Sequence, residues 1–158
     1  KYMEENLRKK AKKRGINPKR IVFAYRLPIA EHLARHKLGD IFLDTFNYNA
    51  HTTASDALWA GLPLLTVSGS SFSSRVAGSL LNAIGLNELI CLNKSEYYEK
   101  ALFLAKNPSK LLLIKKKILT NKSIYPLFDS KAFTKDLEKE YKKIIFKEEN
   151  KTDRKVNL

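Results

Sequence analysis

Cysteine is almost absent from this sequence: Cys91 is the only one among 158 residues. A single thiol cannot form an intrachain disulfide, which excludes the class of small secreted domains held together by disulfides and favours a reducing compartment. Cys91 lies in the apolar segment 88–92, which is typical of a buried strand. We therefore expect it to serve as a small buried hydrophobe rather than as a nucleophile.

Long hydrophobic runs are also missing. No stretch of the sequence is apolar for the roughly 20 residues that span a bilayer, and no signal peptide is recognisable. We therefore predict a cytoplasmic protein without a membrane partner. Residues 1–3 already have the composition of a helix, which predicts that the natural chain starts further upstream.

Acidic residues are scarce relative to basic ones. The sequence has 16 Asp and Glu against 30 Lys and Arg, and its formal net charge is +14. Such a charge suits phosphate, nucleic acid or an anionic membrane as a partner. Much of the excess lies in the lysine-rich runs 9–14, 115–117 and 139–143, which are typical of solvated helix faces. Because aromatic and basic residues are not interleaved, we predict no specific nucleic-acid partner.

The hydrophobic fraction of 44% predicts a folded domain. Short apolar segments predict strands at 20–25, 41–43, 64–67 and 89–92. Helical patterns lie between and after them, at 1–14, 29–38, 52–60, 72–84, 95–106, 108–121 and 130–147. This alternation is typical of parallel strands buried on both faces. We predict an α/β fold with a Rossmann-like, doubly wound parallel sheet and C-terminal helices packed on it, formed by residues 1–147, followed by a polar, disordered tail at 148–158.

Small and polar residues mark the expected helix ends. Gly39, Gly61 and Gly85 follow predicted helices and are expected to end them. Ser95 and Ser130 stand at predicted helix starts and are expected to be N-caps.

A polar loop at 44–51 leads from a predicted strand into a predicted helix, so His51, Thr52 and Thr53 stand at the first helical turn. Ligands of open α/β sheets bind at this edge, where a helix N-terminus offers free N–H groups. A diphosphate fits this position, with the two hydroxyls as further donors and His51 stabilising a leaving group. The alternative is that Thr52 or Thr53 simply caps the helix.

Other polar residues are candidates for the same ligand. Asp56 lies one turn further along, where it either accepts hydrogen bonds from ribose hydroxyls or complements the helix dipole. His32, at the start of the preceding helix, either contacts the ligand from the side or is structural. Trp59 is expected in the core and Arg75 in an ion pair within the fold. The sequence has no Asp-x-Asp pair and no cluster of His and Cys, which predicts chemistry without a metal.

Several motifs together carry a family resemblance. They are His-Thr-Thr-x-x-Asp at 51–56, Leu-Trp-Ala-Gly at 58–61 and the segments 26–32, 43–45, 74–77 and 125–128. From about residue 20 to residue 141 the sequence resembles the C-terminal catalytic lobe of the O-GlcNAc transferase and SPINDLY-like family, glycosyltransferase family 41. The resemblance implies the C-terminal lobe of a GT-B glycosyltransferase.

The resemblance also implies roles for individual residues. Those implied to bind the donor nucleotide are His32, Arg35, His51, Thr52, Thr53 and Asp56. His51, Thr52 and Thr53 match family residues that bind the diphosphate, Asp56 one that holds the ribose, and His32 one beside the uracil. The family transfers a sugar, usually N-acetylglucosamine, from a UDP-sugar to protein Ser or Thr hydroxyls, with inversion and without a metal.

Two departures from the family pattern qualify these expectations. Ile29 stands where animal enzymes have a lysine beside the base, and the family's Gln and Lys that contact sugar and phosphate precede residue 1, as does the N-terminal catalytic lobe. We expect this chain to bind donor but not to catalyse alone, and to work with that lobe and possible upstream TPR repeats. The alternatives are a GDP-sugar-dependent transferase, a sugar-nucleotide epimerase or a basic anion-binding module.

Overall fold

A computed structural model describes the backbone of residues 2–156 and the side chains of residues 2–147. The strands are β1 (Phe42–Leu43), β2 (Leu64–Val67) and β3 (Ile90–Cys91). The helices are α1 (Tyr2–Lys13), α2 (Ile29–Arg35), α3 (Thr52–Trp59), α4 (Val76–Ala83), α5 (Lys94–Lys106), α6 (Pro108–Asn121) and α7 (Ser130–Val156). Within the described residues no helix is both long enough and apolar enough to cross a membrane.

The three strands form a parallel sheet in the order β1-β2-β3. Leu64 and Leu65 are consecutive in β2, so their side chains point to opposite faces, and both are fully buried. Both faces of the central strand are therefore covered, as the continuous apolar segment predicted. The predicted α/β fold with a Rossmann-like parallel sheet is confirmed.

The hydrophobic core surrounds β2 and is built from the apolar sides of α3, α4, α5 and α6. Its fully buried members include Leu58, Leu81 and Ile118, one from each of three helices. Cys91 on β3 is fully buried in the same cluster, and this burial raises the pKa of its thiol. The expectation of a buried structural cysteine is confirmed.

Left-handed glycines end two of the core helices. Gly61 follows α3 with a φ of +84°, and Gly85 follows α4 with a φ of +70°. Gly39 is different, since its φ of −88° is extended. It nevertheless ends its helical segment as expected, as the C-cap of the 3-10 turn His36–Leu38, and it lies against Leu62, whose Cδ1 would be 3.3 Å from an added Cβ.

Both predicted serine caps are wrong. The N-cap of α5 is Asn93, whose side chain accepts from the N–H of Glu96, while Glu96 accepts from the N–H of Leu92. At α7 the carboxylate of Asp129 accepts from the N–H of Ala132. Asn93 stands two residues before the predicted cap and Asp129 one residue before it, and each is three residues before the N–H that it satisfies.

Two predicted elements differ from the structure. The helix predicted at 72–84 is divided into a 3-10 turn at Phe72–Ser74 and α4, with Arg75 between them. The strand predicted at 20–25 is absent: the segment 21–28 is not assigned to a strand, and Val22 and Tyr25 are each 84% exposed. The prediction used apolar and β-branched composition alone, whereas a strand needs a hydrogen-bonding partner.

The chain divides into two compact units, residues 1–32 and 33–158. In the first unit, the guanidinium of Arg8 donates to the carbonyl of Pro18 at 2.6 Å and lies over the ring of Phe23. The second unit holds the sheet and its core.

The helix α7 continues beyond its predicted end at Lys147, and residues 157–158 lie outside the described residues. The domain limits predicted at 147 and 148 stay a prediction.

Trp59 was expected in the core but is 49% exposed. Its ring makes an edge contact with Phe128, and the ammonium of Lys122 lies 3.9 Å from its centroid. Lys122 also donates to the carbonyl of Trp59 at 2.6 Å. The tryptophan thus connects the end of α3 to the segment after α6 at the surface, while its neighbour Leu58 takes the core position.

We expect Gly85→Ala to lower the free energy of unfolding by about 1–2 kcal/mol, because an L-residue is disfavoured at positive φ. An added Cβ would also lie 2.4 Å from the ring of Tyr125, which must move. The control is Gly78→Ala inside α4, where the Cβ meets Ser68 at an ordinary 3.5 Å. There we expect no loss and a gain of up to about 1 kcal/mol. Equal urea-unfolding free energies for the two variants would contradict the prediction.

Candidate functional site

The loop after β1 is held by one buried carboxylate. Asp44 is 4% exposed, and its Oδ1 accepts from the N–H groups of Thr45 at 2.8 Å and Ala50 at 2.7 Å. Its Oδ2 accepts from the hydroxyl of Thr66 on β2 at 2.7 Å. These three bonds close the loop between residues 44 and 50 and attach it to the central strand.

The main chain of Asp44 is fixed as well. Its N–H donates to the carbonyl of Leu65, and its carbonyl accepts from the hydroxyl of Tyr97 on α5 at 3.0 Å. Burial, and secondarily the negative charge of Asp44, raises the pKa of Tyr97 to about 12. The phenol therefore remains a neutral donor at physiological pH, and the loop is connected to a third element.

The loop after β1 also contacts the loop after β2. The carbonyl of Ser73 accepts from the N–H of Asn49 at 2.8 Å, and the hydroxyl of Ser73 donates to the carbonyl of Asn47 at 3.4 Å. Asn49 is buried and its side-chain N–H donates to the carbonyl of Thr45. The two loops therefore form one hydrogen-bonded layer over the carboxyl edge of the sheet.

The N-terminus of α3 emerges from this layer. His51 is the N-cap residue, without a side-chain capping bond, and its carbonyl accepts from the N–H groups of Ala54 and Ser55. In the described part of the chain the N–H groups of His51, Thr52 and Thr53 have no acceptor. Thr52 and Thr53 are exposed, and their hydroxyls likewise have no partner among the described side chains. The alternative that either threonine caps the helix is therefore wrong.

The imidazole of His51 lies among residues of both loops. It stacks on the ring of Tyr48 at a centroid distance of 4.9 Å and an interplanar angle of 13°. The ring of Phe72 meets it edge-on at 6.1 Å and 89°. Its Nε2 is 3.4 Å from the carbonyl oxygen of Ser73. Because a carbonyl only accepts, this contact requires the hydrogen on Nε2 and leaves Nδ1 for another partner.

A cleft of about 250 Å³ opens beside these loops. It is bordered by residues that follow all three strands: Phe46, Asn47, Val67, Gly69, Ser70, Ser71, Ser74 and Lys94. The ammonium of Lys94 lies 5.1 Å from the ring centroid of Phe46 and supplies a positive charge. A larger cleft of about 460 Å³ is lined mainly by apolar residues of α5 and α6 and includes Ile41 just before β1, so it is on the wrong side for the strand ends.

In the loop after β2, the main chain at Gly69 lies close to Ser74. The N–H of Gly69 donates to the carbonyl of Ser74 at 2.9 Å, and a Cβ on Gly69 would lie 2.8 Å from that of Ser74. Only glycine fits at position 69. Arg75, expected to form an ion pair, is exposed and makes none among the described side chains.

The structure thus brings together three of the six predicted donor-binding residues, His51, Thr52 and Thr53, at one helix start. Asp56 is half-buried on the second turn of the same helix. Arg35 is the last residue of α2, and His32 lies in the first compact unit. The donor-binding roles of all six residues stay predictions. Within the described residues, no three His, Cys, Asp or Glu side chains are grouped as metal ligands.

Sequence reasoning missed residues that support the site. Asp44 and Tyr97 were not singled out for the contacts they make, and neither was the aromatic pair Tyr48 and Phe72. A polar residue directly after a buried strand is the one signal that points to Asp44. The aromatic pair has no such signal, because its members are 24 residues apart and meet only when the two loops pack.

We expect Asp44→Ala to lower the free energy of unfolding by about 2–4 kcal/mol, because it leaves two N–H groups and a buried hydroxyl without their charged acceptor. The matched control is Asp40→Ala, since the side chain of Asp40 is 84% exposed and pairs only with Lys115 at 3.3 Å. Its expected cost is below about 0.5 kcal/mol. Urea unfolding followed by circular dichroism measures both, and similar losses would count against the role of Asp44.

Comparison with known proteins adds an independent finding. Residues 1–137 match the family model of Glycosyl transferase family 41. A probable UDP-N-acetylglucosamine-peptide N-acetylglucosaminyltransferase of Arabidopsis thaliana, named SEC, is 39% identical over 142 residues, which are 89% of this chain and 14% of that protein. The corresponding transferase of Caenorhabditis elegans is 38% identical over 135 residues, 85% of this chain and 12% of that protein.

A solved structure agrees. A mutant of the O-GlcNAc transferase of Thermobaculum terrenum matches with a TM-score of 0.82 and 29% identity, over 89% of this chain and 27% of that one. This chain therefore spans roughly a seventh of the curated relatives and about a quarter of the solved protein. The family model covers most of the chain and the curated relatives are 38–39% identical over most of it, so the chain belongs to glycosyl transferase family 41.

Proposed function

We propose that this chain forms the donor-nucleotide half of a protein O-glycosyltransferase that transfers N-acetylglucosamine from UDP-N-acetylglucosamine to Ser or Thr hydroxyls. The observation that carries the proposal is the open N-terminus of α3, where three N–H groups have no acceptor among the described residues and the His51 side chain stands at the N-cap. The Arabidopsis and Caenorhabditis relatives are named as UDP-N-acetylglucosamine-peptide N-acetylglucosaminyltransferases, which supports the choice of substrates.

The diphosphate binds at this helix start. The N–H groups of Thr52 and Thr53 and the two hydroxyls donate to phosphate oxygens, and the positive end of the α3 dipole favours their charge. In its imidazolium form His51 adds a ring donor at Nδ1 and a positive charge, because its Nε2–H already faces the carbonyl of Ser73. Because the site has several donors fixed before the ligand arrives, little reorganisation is needed when negative charge develops.

Asp56 binds the ribose of the donor, and Arg35 is a further donor-binding residue; the role of His32 beside the uracil stays a prediction from the family resemblance. Asp56 is one turn beyond the phosphate donors, and a carboxylate there accepts hydrogen bonds from ribose hydroxyls. Ile29 stands where animal enzymes have a lysine beside the base, so this chain lacks the contact that the lysine makes with the base.

Transfer breaks the bond between the anomeric carbon and the diphosphate oxygen and forms one from the acceptor oxygen, with inversion. The departing diphosphate carries the electron pair, and His51 and the helix start stabilise it. This is the electrostatic work that a metal does in other transferases, so we propose that none is required. The acceptor proton passes to a base outside this half-site.

The remaining parts of the active site belong to the rest of the polypeptide. The matched segment is 14% of the length of the Arabidopsis relative, and we propose that the N-terminal lobe, any TPR repeats and the acceptor cleft are formed by further parts of such a protein. We propose that this chain binds donor in the cytoplasm as part of such a protein and does not transfer sugar alone.

We expect the 158-residue chain to bind UDP and UDP-N-acetylglucosamine in calorimetric titrations with EDTA present, and to bind GDP more weakly. His51→Ala is expected to weaken UDP binding about 10- to 100-fold, the loss of one charge-assisted hydrogen bond. Asp56→Ala is expected to weaken it about tenfold by the same reasoning. Asp136→Ala and Lys139→Ala on α7 are matched controls for charge and are expected to leave affinity unchanged.

Other outcomes have definite meanings. Tighter binding of GDP than of UDP would indicate a GDP-sugar enzyme. Binding that ignores the base, falls steeply with salt and is unaffected by His51→Ala would support the basic anion-binding module and overturn the proposal.

A further inference from the structure

The aromatic rings around His51 hold more than their own loops in place. The three proposed diphosphate-binding residues differ in their side-chain donors. Thr52 and Thr53 donate from short hydroxyl groups, whereas His51 donates from a ring whose direction depends on two rotatable bonds. Its ring makes no capping hydrogen bond, and the one polar contact of the ring within the described residues, to the carbonyl of Ser73, is long at 3.4 Å. The direction of the imidazole therefore depends mainly on its ring neighbours.

The geometry of Tyr48 suits this task. An interplanar angle of 13° at 4.9 Å fixes the plane of the imidazole, and the perpendicular ring of Phe72 limits its movement within that plane. Both rings are otherwise largely open to solvent, 64% and 74% exposed, so core packing does not explain them. Their contact with His51 is the specific interaction that each makes among the described residues.

Tyr48 is itself fixed in position. Its carbonyl accepts from the hydroxyl of Thr45 at 2.7 Å, and the next residue, Asn49, donates its N–H to the carbonyl of Ser73. The loop bearing Tyr48 thus rests on the Asp44 carboxylate, and the loop bearing Phe72 is bonded to it. The ring plane of His51 is determined by the packing of both loops together.

We propose that Tyr48 is a positioning residue: its ring orients the His51 imidazole toward the donor diphosphate, with Phe72 as the second side of an aromatic clamp. This inference rests on the proposed function, because it assumes that His51 binds the diphosphate. Tyr48 acts through His51 and need not touch the ligand. Because the imidazole is already held in the orientation that it has in the complex, less conformational entropy is lost when the ligand binds.

The test is a double-mutant cycle on UDP affinity. Tyr48→Leu is expected to weaken UDP binding about three- to tenfold, the equivalent of one aromatic pair. Tyr48→Phe keeps the ring and is expected to restore affinity to within about twofold, a fraction of that pair energy. Tyr98→Leu is the matched control, since Tyr98 is 67% exposed on α5 and is not in the site.

The cycle separates positioning from direct contact. In the His51→Ala background, Tyr48→Leu is expected to cause no further loss, because the residue it positions is gone. An equal loss with and without His51 would overturn the assignment while leaving UDP binding, and so the proposed function, intact. A chain that binds no UDP at all would overturn the proposed function, and the assignment with it.

A structural readout completes the experiment. The ring C–H signals of His51 in a proton-carbon NMR spectrum, identified by their loss in His51→Ala, are expected to shift when Tyr48→Leu removes the stacked ring, and to stay in place in Tyr98→Leu. Unchanged His51 signals in Tyr48→Leu would show that the stack is not formed in solution and would overturn the proposal.

Discussion

The carboxylate of Asp44 is the interaction on which the rest of the site depends. A charge buried to this extent is tolerated only when hydrogen bonds replace its lost hydration, and here three donors do so. Because those donors come from both ends of the loop and from β2, satisfying the charge also sets the loop geometry. The open helix start of α3 follows directly after that loop, so its position derives from a buried electrostatic requirement at the end of β1.

The sequence alone was sufficient to predict the structure of segments whose conformation is decided by a local rule. The segment at 64–67 became β2 with its predicted bounds, and Pro108 begins α6 where expected, since a buried apolar run and a helix-opening proline are each read locally. The His-Thr-Thr block was placed at its helix start for the same reason. The sequence-based prediction failed at 20–25, where β propensity had no partner strand, and at Ser95, where Asn93, two residues earlier, caps the helix instead.

What could not be predicted depends on contacts between distant segments. The stack of Tyr48 on His51 is local in sequence, but the edge contact of Phe72 and the acceptor carbonyl of Ser73 come from a loop on the far side of β2. Similarly, Trp59 reads as core by spacing, yet Lys122 and Phe128 give its ring a partly exposed position. Periodicity identifies the face of a helix, whereas the chemistry on that face is decided by what other segments bring to it.

The carbonyl of Ser73 shows that such a site depends on main-chain atoms as well as on side chains. It accepts from the N–H of Asn49 and lies next to Nε2 of His51, and both contacts belong to the main chain of residue 73. Any amino acid there supplies the same oxygen, so these two main-chain contacts survive a change of residue at position 73, whereas the bond from the Ser73 hydroxyl to Asn47 does not. Searches for functional positions by residue identity will pass over it, although two loops and the imidazole are aligned on that one atom.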